Sequence, residues 1–151
     1  MKKLLNVLND FEKHTPQYMA NNIVVSEGKV GWHIIHSCLV ISSVTKAIIA
    51  SDPALYKKKF SWKAFFVLLF NKIPRGKVKA PSFTQPANEV TRDMVIQHIA
   101  EARKSARLLL TTNKNNFFTH PIFGDMRVQL AIKFLYVHSY HHEKIIKDIL
   151  R

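Results

Sequence analysis

Cysteine, acidic residues and long apolar runs are all scarce in this chain of 151 residues. Cys38 is the only cysteine, which excludes an intrachain disulfide and every multi-cysteine zinc or iron–sulfur arrangement. Any metal must therefore sit on nitrogen and oxygen. Ten acids face 23 lysines and arginines, a formal charge of +13. The imbalance is local, because eight of the bases fall between Asp52 and Glu89 with no acid among them. Such charge attracts nucleic acid, anionic lipid or an anionic substrate, and a solvated lysine-rich face has the same composition. The sequence has no helix-turn-helix glycine turn, no RNA-binding aromatic signature and no zinc finger, so charge alone speaks for nucleic acid. No apolar run approaches the ~20 residues of a membrane-spanning helix. The opening MKKLLNVLNDFEK starts as a signal peptide does, but Asn6, Asn9 and Asp10 interrupt it. A cytoplasmic protein with no membrane span is the expectation.

What is present fits one globular domain over residues 1–151, with 47% apolar and 22% charged residues. Leu4, Leu5, Leu8 and Phe11 recur at helical spacing in a first helix that should fade by Pro16. A second helix, from about Val30 to Ala50, is apolar around most of its circumference, which suggests central burial. It stops at Ser51-Asp52-Pro53, a turn signal that also suits the start of a short helix. A basic insertion follows. Within it Ser61 is placed to cap a short helix through Phe70, before Pro74, Gly76, Pro81 and Pro86 enforce irregular chain. The apolar piece FSWKAFFVLLF has three possible uses: covering the helices, lying on a membrane surface, or lining a subunit interface. Asn88 or Thr91 caps a third long helix reaching about Thr112. After an Asn-rich loop, Asp125 is positioned to accept from the free amides of a fourth that runs to Arg151. No strand-like alternation persists and no repeat recurs, so the expected class is all-α, a four-helix bundle with the basic insertion between its second and third long helices.

The segment YVHSYHHEKIIKDIL places His138, His141 and His142 within five positions of that last helix. At about 100° per residue, His142 lies about 40° from His138, in a stripe with Ala131, Ile145 and Ile149. Gln129, Lys133, Glu143, Lys144 and Lys147 fall on the opposite, outward side. His141 sits toward the margin. Two imidazoles four apart can converge on one ion, as in HExxH zinc sites, although no Glu follows His138. Neutral rings buried without partners would cost about 1–3 kcal/mol each. A cation would satisfy one nitrogen on each ring, and so would hydrogen bonds to backbone, side chain or water. A third ligand could come from VGWHIIHSCLVI in the second helix, as His36 or as His33 about 60° away. That helix is apolar almost everywhere, so its pattern does not choose between them. His98 is a weaker candidate. His14 and His120 read as loop or helix-end residues, His120 stabilising the turn before Asp125. Cys38, about 160° from His36, points away from any such site.

The blocks VGWHIIHSCLVI, RGKVKAP and THPIFGDMRVQLAIKFLYVHSYHHEKIIKDIL, in that order, resemble the DinB/YfiT-like family of bacterial metalloenzymes, in particular an uncharacterised branch of it. The terminal H-x3-HH block is the specific part of the resemblance. It implies a four-helix bundle holding a divalent ion, nickel or zinc, on one histidine from the second helix and two from the last: His36, His138 and His142. Characterised relatives imply low-molecular-weight-thiol transfer or thiol-dependent isomerisation, and pairing through helices as a homodimer. Three imidazoles on an ion leave a position open, which distinguishes a reactive site from a closed structural one. Such an ion lowers the pKa of water to about 7 and polarises carbonyls, so hydrolysis of a small-molecule substrate is one reading; activation of a bound low-molecular-weight thiol is another. No general acid or base can be named. The competing reading is a non-catalytic basic bundle that binds a partner or nucleic acid, its histidines structural.

Overall fold

The computed structural model describes residues 1–76, 84–86 and 89–151. Among them run helices α1 (Lys2–His14), α2 (Val30–Ala50), α3 (Trp62–Phe70), α4 (Arg92–Leu108) and α5 (Val128–Ile149), with a hairpin of β1 (Phe117–His120) and β2 (Gly124–Arg127). Both α1 and α2 pack on α4 and α5, which sets the long helices in the cyclic order α1, α4, α2, α5. Leu4, Leu8 and Phe11 of α1, Ile34, Ile41 and Ile48 of α2, and Leu135 and Ile146 of α5 are fully buried in one core. The mostly helical class agrees with the expectation from periodicity.

The apolar α2 has the bounds its sequence suggests; a loop closes its start, and Ser51 and Asn116 share its end. The Val30 amide donates to the Ala20 carbonyl (3.0 Å) and that of Gly31 to the Tyr18 carbonyl (2.8 Å), satisfying donors a helix start leaves free. This approach is close enough to require glycine: a Cβ on Gly31 would lie 2.9 Å from Val90 Cγ1 and 3.1 Å from the Tyr18 oxygen. At the far end Asn116 Nδ2 donates to the Ile48 carbonyl (2.8 Å). One expectation needs correction here. By length and composition α2 is apolar enough to cross a membrane, although no such run was expected. In this fold its sides are instead occupied by α4 and α5, as befits a central helix.

The remaining caps follow the sequence in part. Ser61 accepts from the Ala64 amide (3.2 Å) and opens α3, which Asn71 closes in the left-handed region at φ 49°. Thr91 accepts from the Met94 amide (3.2 Å) and opens α4; Asn88, the other candidate, lies outside the described residues, as does most of the RGKVKAP block. Asp52 accepts from the Ala54 amide (2.9 Å) in a single 3-10 turn. Asp125 departs from expectation. It belongs to β2, where its carboxylate accepts from Thr119 Oγ1 and the Lys57 amide (both 2.7 Å), and α5 starts from Arg127 without a side-chain cap. The hairpin occupies what read as loop, its strands pairing from Phe117 with Arg127 to His120 with Gly124. Four residues per strand are too few for an alternation to register. His120 serves the turn, its Nδ1 accepting from the amides of Ile122 (3.1 Å) and Phe123 (3.3 Å).

Glu143 also departs from expectation: it is buried, not outward. Helix α5 packs on α1 as well as on α2, so its buried arc is wider than the histidine stripe and takes in Ser139, Glu143 and Ile146. Lys147, one turn on, supplies the cation that lets the carboxylate stay there.

Replacing Asn116 with alanine should remove one donor from the end of α2, leaving the Ile48 carbonyl to the Ser51 amide and hydroxyl, and cost about 1 kcal/mol. A fall in melting temperature of about 2–4 °C by calorimetry is the expected size for a chain of this length.

Candidate metal centre

Two helices that face each other in the core, α2 and α5, carry histidines into the interior. The rings of His36 on α2 and of His138 and His142 on α5 meet there, with centroids 4.7 Å apart for His36–His142 and His138–His142 and 5.1 Å for His36–His138. Each offers one ligand nitrogen, and these atoms all lie within 4.8 Å of one another. A group of this spacing can hold a metal ion. His36 and His142 are buried and His138 is half-buried. Trp32, one turn before His36, stacks on its ring at 5.0 Å and 12°.

Partners fix the rings. His36 Nδ1 lies 2.8 Å from the Thr84 carbonyl. A carbonyl only accepts, so the proton of neutral His36 is on Nδ1 and the lone pair is on Nε2. His33 does not join the triad; its Nδ1 lies 3.0 Å from His142 Nδ1 and its Nε2 3.0 Å from Ser26 Oγ. If His142 Nδ1 donates to His33 Nδ1, then His33 Nε2 carries a proton for Ser26 and the Nε2 of His142 is left unprotonated. On that tautomer His33 holds the His142 ring by a hydrogen bond. His138 Nδ1 is different: it is buried and has no hydrogen-bond partner among the described residues.

The rings are also held neutral. Burial lowers the pKa of His33 and His141 to about 4, helped by neighbouring histidines and Arg75, and it pushes His36, His138 and His142 below the usual range. Burial alone brings His120 to about 4. Neutral imidazole is the form that ligates. No carboxylate is among the groups acting on these rings, whereas Arg75, tied to Asp148 at 2.6 Å, acts on His33 and His141.

The segment after α3 therefore borders the cluster from Ile73 to Arg75 and again at Thr84. Lys77 and Lys79 lie outside the described residues, and Lys57 to Lys59 run instead toward the hairpin, against Gly124 and Asp125. Among the remaining histidines, His98 faces Glu101 on α4, His120 packs on Phe123 and Phe134 at the hairpin, and His141 lies edge-on to His142 at 5.2 Å. Cys38 is buried, and burial raises its thiol above the ordinary range, which suppresses a nucleophilic thiolate. Ser26 and the Thr84 carbonyl had no signal in the sequence, since both reach the rings from irregular chain.

No protein-family model, no curated protein and no solved structure matches the chain.

A pH dependence follows. The folded rings resist protonation while the unfolded chain takes up protons near the ordinary value of 6.5, so their stabilisation is complete above 6.5 and is lost as the pH falls toward 4. Metal-free protein should show a melting temperature that declines steeply across this window. A flat profile there would mean that the rings are open to water.

Proposed function

We propose that the chain is a four-helix bundle of the DinB/YfiT type that binds one divalent ion, nickel or zinc, through His36, His138 and His142. On this reading it is a metal-dependent enzyme of hydrolase or low-molecular-weight-thiol transferase type acting on a small molecule. The observation that carries the proposal is the orphaned Nδ1 of His138, buried within a group of rings that can already share an ion. His36 and His142 have hydrogen-bond partners of their own, so a purely structural cluster would account for them. It would leave His138 short by about 1–3 kcal/mol of desolvation.

The chain's own groups divide the work. Thr84 and His33 set the tautomers of His36 and His142, the part that neighbours of ligating histidines commonly play. Trp32 holds the His36 ring in place by stacking. A divalent ion so held supplies Lewis acidity, on which both hydrolysis and thiol activation draw. Three neutral ligands with no carboxylate leave that acidity undiminished, and Arg75 beside the cluster adds a bias toward anionic ligands such as a charged thiol.

The test uses protein prepared without a histidine tag. Elemental analysis should find about one nickel or zinc per chain, and adding that ion to stripped protein should raise its melting temperature by mass action. His36→Ala, His138→Ala and His142→Ala should each lose the ion. His33→Ala should keep it with an affinity lower by ~10- to 100-fold, as neighbour substitutions typically do. Stripped wild-type protein that takes up no ion, and triad variants as stable as wild type, would return the histidines to a structural role.

A further inference from the structure

Helix α3 buries too little of itself. Its sequence, WKAFFVLLF, is apolar but for Lys63, a composition that normally means burial on most sides. Yet only Ala64 and Leu68 are buried, where α3 meets α5. Phe60, Trp62 and Phe70 are 67%, 65% and 65% exposed, and Phe65, Phe66 and Leu69 are exposed beside them. The rings are ordered among themselves, Trp62 stacking on Phe66 (25° between planes) and Phe66 on Phe70 (2°), each pair at 6.1 Å. A monomer in water does not ordinarily present so large a contiguous apolar surface.

Charge identifies the cover. Lys57, Lys58 and Lys59 precede the patch, Lys63 lies within it and Lys72 follows it, all exposed and none in an ion pair among the described residues. No acid occurs in the sequence between Asp52 and Glu89. A second copy seated on this face would bring its own lysines against these, and like charges at close range oppose that pairing. An aromatic and aliphatic surface rimmed by lysines instead matches an anionic bilayer surface. Rings and leucine enter the acyl boundary there, tryptophan sits at the headgroup level, and lysines reach phosphates through their flexible stems. We propose that α3 docks the protein peripherally on anionic lipid bilayers, inserting Trp62, Phe66, Leu69 and Phe70, with the lysines from 57 to 72 supplying the electrostatic attraction. Single-stranded nucleic acid offers the same charge, but Leu69 and the phenylalanines gain most from hydrocarbon, which bases do not provide.

Vesicles of phosphatidylglycerol mixed with phosphatidylcholine, and of phosphatidylcholine alone, are the probes, with cosedimentation and quenching by lipids brominated along the acyl chain as readouts. Wild-type protein should bind the anionic vesicles at least ~10-fold more strongly than the neutral ones, weaken as salt is raised, and have Trp62 quenched. The quenching should vanish in Trp62→Phe, which leaves Trp32 as the control fluorophore. Phe66→Ser combined with Phe70→Ser alters exposed positions only and should abolish binding without changing the melting temperature. Three results would each overturn the proposal: no binding to anionic vesicles, binding without quenching, or a dimer in vesicle-free solution that the double variant dissociates. Tighter binding to a single-stranded oligonucleotide than to the vesicles would overturn it in favour of nucleic acid.

Discussion

The burial of imidazole rings between α2 and α5 governs the chemistry open to this cluster. An imidazole taken out of water loses the means to carry charge, so each ring there stays neutral and holds one nitrogen with a proton and one with a lone pair. Every such nitrogen then has to be satisfied from within. The Thr84 carbonyl accounts for His36 Nδ1, and the pairing with His33 accounts for His142 Nδ1. Nothing in the described chain accounts for His138 Nδ1. A ring set that is neutral and incompletely satisfied is prepared for a cation in a way that a solvent-facing histidine cluster is not.

Much of this was legible in the sequence, for a reason particular to long helices. Over five or more turns a periodicity repeats often enough to be unambiguous, and the bounds of α2 and the pairing of His138 with His142 on one stripe follow from counting. Side chains that cap locally, such as Ser61 and Thr91, are equally readable because donor and acceptor lie three residues apart. Legibility fails where a partner comes from far along the chain. Thr84 reaches His36 across 48 residues, and His33 meets His142 across 109. The choice between His33 and His36 was therefore not readable from a helix apolar on every side, whereas in the structure their partners separate them. The same limit explains Glu143 and Asp125. Glu143 looked outward because the histidine stripe alone set the core face of its helix, which also packs on α1; Asp125 looked like a cap because a strand of four residues leaves too short a pattern.

Charge is distributed with a corresponding asymmetry. Four of the ten acids are paired with lysine or arginine: Asp10 with Lys13, Glu12 with Arg103, Asp148 with Arg75 and Arg151, and Glu143 with Lys147. The surplus lysines accumulate around α3, where the chain also exposes its aromatic rings. The histidine cluster and α3 are thus two surfaces of different character, one dry and neutral, the other wet, basic and apolar, joined by the segment from Asn71 to Arg75.

A strongly basic chain is a poor place for a cation only if long-range repulsion outweighs local bonding, and magnitudes decide against that. A unit charge 10 Å away through water opposes a divalent ion by about 0.8 kcal/mol, and salt at physiological strength reduces this further over a screening length of about 8 Å. Structural zinc in zinc-finger peptides, where thiolates ligate, binds with an apparent ~10–16 kcal/mol at pH 7, and even a fraction of that on neutral imidazoles exceeds the repulsion from one such charge. The exposed lysines lie on the far side of that comparison, being hydrated and screened. Arg75, the cation closest in effect to the rings, has its charge partly cancelled by Asp148 at 2.6 Å. Lone-pair geometry, not net charge, therefore sets whether these three rings can retain an ion.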